Sequence, residues 1–149
     1  AGSVIYRDHN LTAAGEAAIR DWLRSRGLEF PELVIGNGSG LSREARISGD
    51  SMARMLVGAW HSRFAPEFLT SLSLGGLDGT LEKRFQNVND PSRIRMKTGT
   101  LRNVSSIAGY VGGDSGKTYA VVIFVNHPGV QIGTGETIQA ALIDCVLRH

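Results

Sequence analysis

Apolar positions recur at helical spacing early in the chain, where Ala14, Ala17, Ala18, Ile19, Trp22 and Leu23 share one face of residues 12–26 and charged side chains take the other. Thr12 is suited to cap this predicted helix and Gly27 to end it. After Pro31, residues 32–36 read as a short buried strand or extended segment running into a glycine- and serine-rich loop, 37–43. Met52, Met55, Leu56 and Trp60 predict a second helix over 49–62 with Ser48 as its cap, and Pro66 opens a shorter helical turn. Spacing is irregular from 73 to 89, which predicts a surface excursion with turns at 75–81 and little regular structure. Beyond Pro91 the texture turns β-rich: IRMKTGTL (94–101), VSSIAGYVGG (104–113) and KTYAVVIFVN (117–126), the last two joined by a Gly113-Asp114-Ser115-Gly116 turn. These runs predict a three-stranded antiparallel meander. A final helix over 134–147 would cover that sheet with Ile138, Ala141, Leu142, Cys145 and Val146. The fold class is α/β of the α+β kind, an antiparallel sheet flanked by helices, with no internal repeat or low-complexity linker.

Length narrows this picture to one domain or part of one, because 149 residues bury a moderate core. Charge adds little: 16 basic against 14 acidic side chains leave +2, and no run of Lys or Arg tracks a phosphate backbone, so no nucleic-acid partner is expected. The longest apolar stretch, 119–125, has the length of a buried strand and is far too short to span a bilayer. Cys145 is the sole cysteine, which excludes an internal disulfide, and its apolar neighbours predict a buried thiol. His9, His61, His127 and His149 show no metal-ligand spacing, so neither metal nor cofactor is expected. The chain opens Ala1-Gly2-Ser3 without an initiator Met or signal peptide and reads as a processed or trimmed piece.

Candidate chemistry centres on Lys97-Thr98-Gly99 in the first long β run. On a strand Lys97 and Gly99 share one face and Thr98 takes the other, and Gly99 removes a side chain where another backbone could lie alongside. A tripeptide is weak evidence alone, since surface Lys-Thr-Gly on an edge strand is commonplace. Two other short motifs are turn chemistry. Gly113-Asp114-Ser115-Gly116 echoes trypsin-like proteases but sits in a predicted hairpin turn, and Ser115-Gly116-Lys117-Thr118 lacks the leading glycine and following helix of a phosphate loop.

Context strengthens the motif. In serine penicillin-recognising enzymes Lys-Thr-Gly follows Ser-x-x-Lys and Ser-x-Asn and precedes two strands and a terminal helix, the position it holds here. Asn-Gly-Ser-Gly-Leu-Ser-Arg at 37–43 is similar to the corresponding loop of the D-alanyl-D-alanine carboxypeptidase/endopeptidase family, which includes the class C-type penicillin-binding proteins of low molecular mass. GGLDGTLEKRF (75–85) and KTGTLRNVSSIAGYV (97–111) resemble further segments of that family in the same order. The resemblance implies an incomplete penicillin-binding/β-lactamase-like transpeptidase fold. It also implies that Lys97 lies beside the nucleophile, that the Thr98 hydroxyl binds the substrate's terminal carboxylate, and that the Thr100 N–H is one donor of an oxyanion hole. Leu41, Ser42 and Arg43 would line the pocket for the peptide stem, with Arg43 suited to an acidic group; its plain alternative is an ion pair with Glu44 or Asp50.

No serine of the chain is followed by Lys at the third position, and none begins Ser-x-Asn. The expectation is therefore that the chain is the C-terminal part of a longer DD-peptidase domain whose nucleophile lies upstream, with a signal peptide there and a periplasmic or cell-envelope location. Implied partners are peptidoglycan stem peptides and, for the full-length enzyme, β-lactams. The last strand would pair in that fold with an upstream one, so the isolated piece is expected to expose an edge that invites a strand-swapped or self-associated oligomer. A β-lactamase-like fragment and a non-catalytic peptidoglycan-binding remnant are the alternatives.

Overall fold

The structure, a computed structural model, describes residues 10–36, 38, 40 and 42–149. The chain divides into two compact units, residues 1–51 and 52–149.

In the first unit, helix α1 (Asn10–Ser25) begins two residues before Thr12, which is thus inside the helix and not its cap, and ends where Gly27 takes a left-handed φ of 70°. Its packing differs from the predicted face. Ile19 and Trp22 are exposed, and only Leu23 is buried. The helix is held instead by Arg20, whose guanidinium bonds Glu16 and donates to the carbonyls of Phe30 and Leu33, tying the following segment back to it. Residues 32–36 do not form a buried strand. Val34 and Arg46 make one isolated antiparallel bridge, and Val34 is exposed. The Ser48 hydroxyl accepts from the Ser51 N–H at 3.1 Å and caps α2 (Gly49–Trp60), which runs on into the second unit.

The second unit is a four-stranded antiparallel sheet in the order β1 (Ser73–Leu74), β2 (Ile94–Leu101), β3 (Val104–Gly112), β4 (Thr118–Asn126). The three predicted strands are present. β1 was concealed in the region expected to lack regular structure; it pairs Ser73 with Met96 and Leu74 with Arg95. Nor is the rest of that region a plain surface excursion, because Leu81, in a 3-10 turn at Gly79–Leu81, is fully buried in the core.

Strand alternation sorts the sheet into two faces. On one, Ile94, Met96, Ile107 and Val111 pack with Leu81, Ile143 and Leu147 beneath α4 (Thr134–Leu147). On the other, Tyr110 packs with Leu56 and Leu72, flanked by Phe68 and Leu69 of α3 (Ala65–Thr70), a short helix opened by Pro66. The Tyr110 hydroxyl donates to the Leu56 carbonyl at 2.6 Å, and burial raises its pKa above the ordinary value.

Helix α4 has its predicted bounds and a different buried face. Gly135, Gln139, Ile143 and Leu147, four residues apart, meet the sheet. Gly135 permits the contact, since a Cβ there would lie 2.4 Å from Ser105 Cβ. Ile138, Ala141, Leu142 and Cys145 consequently face outward, and the Cys145 thiol expected to be buried is exposed. The 113–116 turn is as predicted: the Gly113 N–H donates to the Lys117 carbonyl at 2.8 Å, and Asp114 pairs with Arg93 at 2.8 Å. Among the described residues β4 pairs only with β3, so its other edge is open.

Candidate active site

β2 holds Lys97, Thr98, Gly99 and Thr100 in sequence, and its two long edges are used differently. One edge is paired to β3 throughout, with Lys97 opposite Ala108 and Gly99 opposite Ser106. The other meets β1 only at Arg95 and Met96, so from Lys97 onward it is unpaired among the described residues. The Ile94 carbonyl accepts from the Gly75 N–H at 2.9 Å on this outer edge. Because backbone groups of alternate residues point the same way along a strand, the N–H and C=O of Thr98 and Thr100 project from the outer edge as well. This row of donors and acceptors has no neighbouring strand among the described residues and is suited to another extended backbone.

Lys97 and Gly99 lie on the face with Ala108 and Tyr110, and both are exposed. The Lys97 ammonium donates to the Thr98 carbonyl at 2.6 Å, which sets its charge over the outer edge. A Cβ on Gly99 would meet Ser106 Oγ at 2.6 Å, and that hydroxyl instead donates to the Gly99 carbonyl at 3.0 Å, fixing the strand from its inner side. Thr98 takes the opposite face. Its hydroxyl donates to Thr80 Oγ1 at 2.7 Å, on the turn that carries buried Leu81. The Thr98 hydroxyl is thus engaged away from Lys97, while the Thr98 carbonyl and the Thr100 N–H belong to the open edge.

The glycine-rich loop belongs to the first unit. Leu41 lies outside the described residues, as do Asn37 and Ser39. The Ser42 hydroxyl accepts from the Glu44 N–H at 3.1 Å and occupies the space that a Cβ on Gly36 would need, so it shapes the loop. The Arg43 side chain is exposed, and among the described residues it makes no ion pair with Glu44 or Asp50. At the base of the loop the Glu32 carboxylate accepts from the Ser48 N–H at 3.1 Å. Hydrogen bonds from Ser51 and then Ser48 hold its pKa down at about 2.

Sequence reasoning missed Thr80, Ser106 and a buried polar chain on the α4 side of the sheet. In that chain Arg84 donates to the Gln139 side-chain oxygen at 3.0 Å and Gln139 donates to Ser105 Oγ at 2.9 Å. Desolvation lowers the Arg84 pKa, and neighbouring Glu136 opposes that shift. The signal for Thr80 and Arg84 lay in GGLDGTLEKRF (75–85), whose family resemblance carried no roles for its individual residues.

With this geometry in place, residues 4–147 match the family model described as "D-Ala-D-Ala carboxypeptidase 3 (S13) family". The chain belongs to that family. Among curated relatives it is 30% identical to a D-alanyl-D-alanine carboxypeptidase of Actinomadura sp. (strain R39), over 78% of this chain and 22% of that protein. It is 27% identical to D-alanyl-D-alanine carboxypeptidase DacB of Haemophilus influenzae, over 87% of this chain and 27% of that protein. The crystal structure of penicillin binding protein 4 (dacB) from Haemophilus influenzae superposes with a TM-score of 0.82 at 22% identity, covering 93% of this chain and 32% of that one. The penicillin-binding-like α+β fold is therefore established for this stretch. The S13 chain spans about a quarter of the length of the curated relatives it matches.

Proposed function

We propose that this chain is the C-terminal part of a serine-type D-alanyl-D-alanine carboxypeptidase that also serves as an endopeptidase on peptidoglycan stem peptides. The observation that carries this reading is the outer edge of β2, unpaired from Lys97 onward among the described residues, with the Lys97 ammonium above it. An acyl-D-Ala-D-Ala peptide would add to that edge as an extended strand, its backbone meeting the Thr98 carbonyl and its reacting carbonyl meeting the Thr100 N–H. Lys97 would supply positive charge near the terminal carboxylate, and Gly99 leaves room for the peptide. The Thr98 hydroxyl, its rotamer held by Thr80, would turn its hydrogen to the carboxylate while Thr80 donates to it in exchange. Arg43, exposed on its loop, would meet the stem side chain.

The nucleophile, its lysine and the Ser-x-Asn serine would come from an N-terminal part of the complete protein. A strand of that part would complete the open β4 edge, and its apolar side chains would cover Ile138 and Leu142 of α4. The serine would attack the penultimate D-Ala carbonyl, expel D-alanine and form an acyl-enzyme that water then hydrolyses; β-lactams would form a stable acyl-enzyme instead. A periplasmic or cell-envelope location accords with such a substrate.

Exposure to a fluorescent penicillin, followed by peptide analysis, tests the proposal. The expected result is one labelled serine in the complete protein, outside these 149 residues, and no label on this chain alone. A stoichiometric adduct on any serine between Ser3 and Ser115 would overturn the assignment of the nucleophile.

A further inference from the structure

On the α4 side of β2, a ring of polar contacts, completed by the backbone link from Thr80 to Leu81 and by the pairing of β2 with β3, passes through four parts of the second unit. The Thr98 hydroxyl donates to Thr80 at 2.7 Å. Thr80 precedes Leu81, which is fully buried and whose carbonyl accepts from the Arg84 N–H at 2.9 Å. The Arg84 guanidinium donates to Gln139 at 3.0 Å, and Gln139 donates to Ser105 at 2.9 Å. Ser105 faces Thr100 across the β2–β3 ladder, which returns the ring to the strand it left.

Gln139 is the keystone of this ring. It has no exposed surface, and burying a primary amide is costly unless both of its ends are bonded; here the oxygen accepts from Arg84 and the nitrogen donates to Ser105. An apolar residue would fill the same place beneath the sheet without that demand. The geometry instead makes α4, the 79–85 turn and β3 adopt one mutual arrangement, and the two residues it braces from behind are Thr98 and Thr100.

We propose that Gln139, together with Arg84, is a positioning residue for the outer edge of β2: it sets the Thr98 rotamer through Thr80 and the Thr100 N–H through Ser105. The inference rests on the proposed function, in which those groups receive the substrate. Hydrogen-bond donors aimed at a developing oxyanion act on kcat much more than on ground-state binding.

The test uses the complete peptidase, with wild type, Gln139→Met and Thr80→Val compared by hydrolysis of an acyl-D-Ala-D-Ala peptide. Rates are divided by the serine sites titrated with fluorescent penicillin, so that loss of folded protein does not count as loss of rate. The expected result is kcat per titrated site reduced at least about tenfold in Gln139→Met with KM within about threefold of wild type, and a smaller loss of the same kind in Thr80→Val. Thr80 is exposed, so its variant keeps the test decisive if Gln139→Met fails to fold. Per-site kcat within about twofold of wild type in every variant that folds would overturn the positioning role while leaving the peptidase assignment intact. A wild type that takes up no penicillin would overturn the assignment and this inference together.

Discussion

Met96 and Lys97 are neighbours on β2, yet Met96 is fully buried beneath α4 whereas Lys97 stands exposed beside a strand edge that is unpaired among the described residues. The α4 side of the strand is closed by Ile107, Ile143, Leu81 and the partnered Gln139, all without exposed surface. The other side carries Lys97, Gly99 and the Ser106 hydroxyl. Burial and exposure thus alternate between Met96 and Lys97, and substitutions of Ile107 on one side and of Lys97 or Gly99 on the other should have separable consequences.

The largest effect is expected from Ile107→Ala, which leaves a cavity at the centre of the buried face and should cost about 2–5 kcal/mol, read from denaturant unfolding of this chain. A loss below about 1 kcal/mol would mean that the two sides are not distinguished in this way. Gly99→Ala comes next. Its Cβ meets only the tip of Ser106, a side chain that can rotate away, so about 1 kcal/mol or less of stability is expected to be lost, accompanied in the complete enzyme by weakened peptide binding. Lys97→Ala should leave stability within about 0.5 kcal/mol, since Lys97 is exposed and bonded only to the next carbonyl, while abolishing penicillin acylation of the complete enzyme.

The last prediction concerns the first unit and sharpens the contrast by pH. The pKa of Glu32 in the folded chain, about 2, lies below its ordinary 4.5, so its bonds to Ser48 and Ser51 favour the folded state above pH 4.5 and lose that contribution as the pH falls towards 2. The protection factor of the Ser48 amide, its exchange relative to an unstructured amide at the same pH, should fall over that window in wild type and show no such step in Glu32→Gln, which does not titrate. The sheet of the second unit should show no matching step.

The three long strands and the bounds of α4 were legible in the sequence because β-rich runs alternate with turn residues and because the final apolar pattern keeps a helical period. β1 was not, since two residues are too few to show a period. The buried face of α4 was misread for a definite reason. Ile138, Leu142 and Cys145 look like the core side, but Gly135 allows the closest approach to Ser105, and Gln139 can be buried because Arg84 and Ser105 satisfy it. Both partners come from distant parts of the chain, which no local pattern records. In the same way, Lys97-Thr98-Gly99 could be read directly as a motif, whereas the Thr80–Thr98 bond depends on a turn that folds against the strand from 18 residues away.

Backbone amide exchange along β2 of this chain, resolved residue by residue by NMR, tests most directly the claim that the strand offers an open edge from Lys97 onward. The Lys97 and Gly99 amides, directed to β3, and the Met96 amide, directed to β1, are expected to be protected, while those of Thr98 and Thr100 exchange rapidly. Equal protection of Thr98 and Thr100 would mean that the edge is already filled, and would contradict the account.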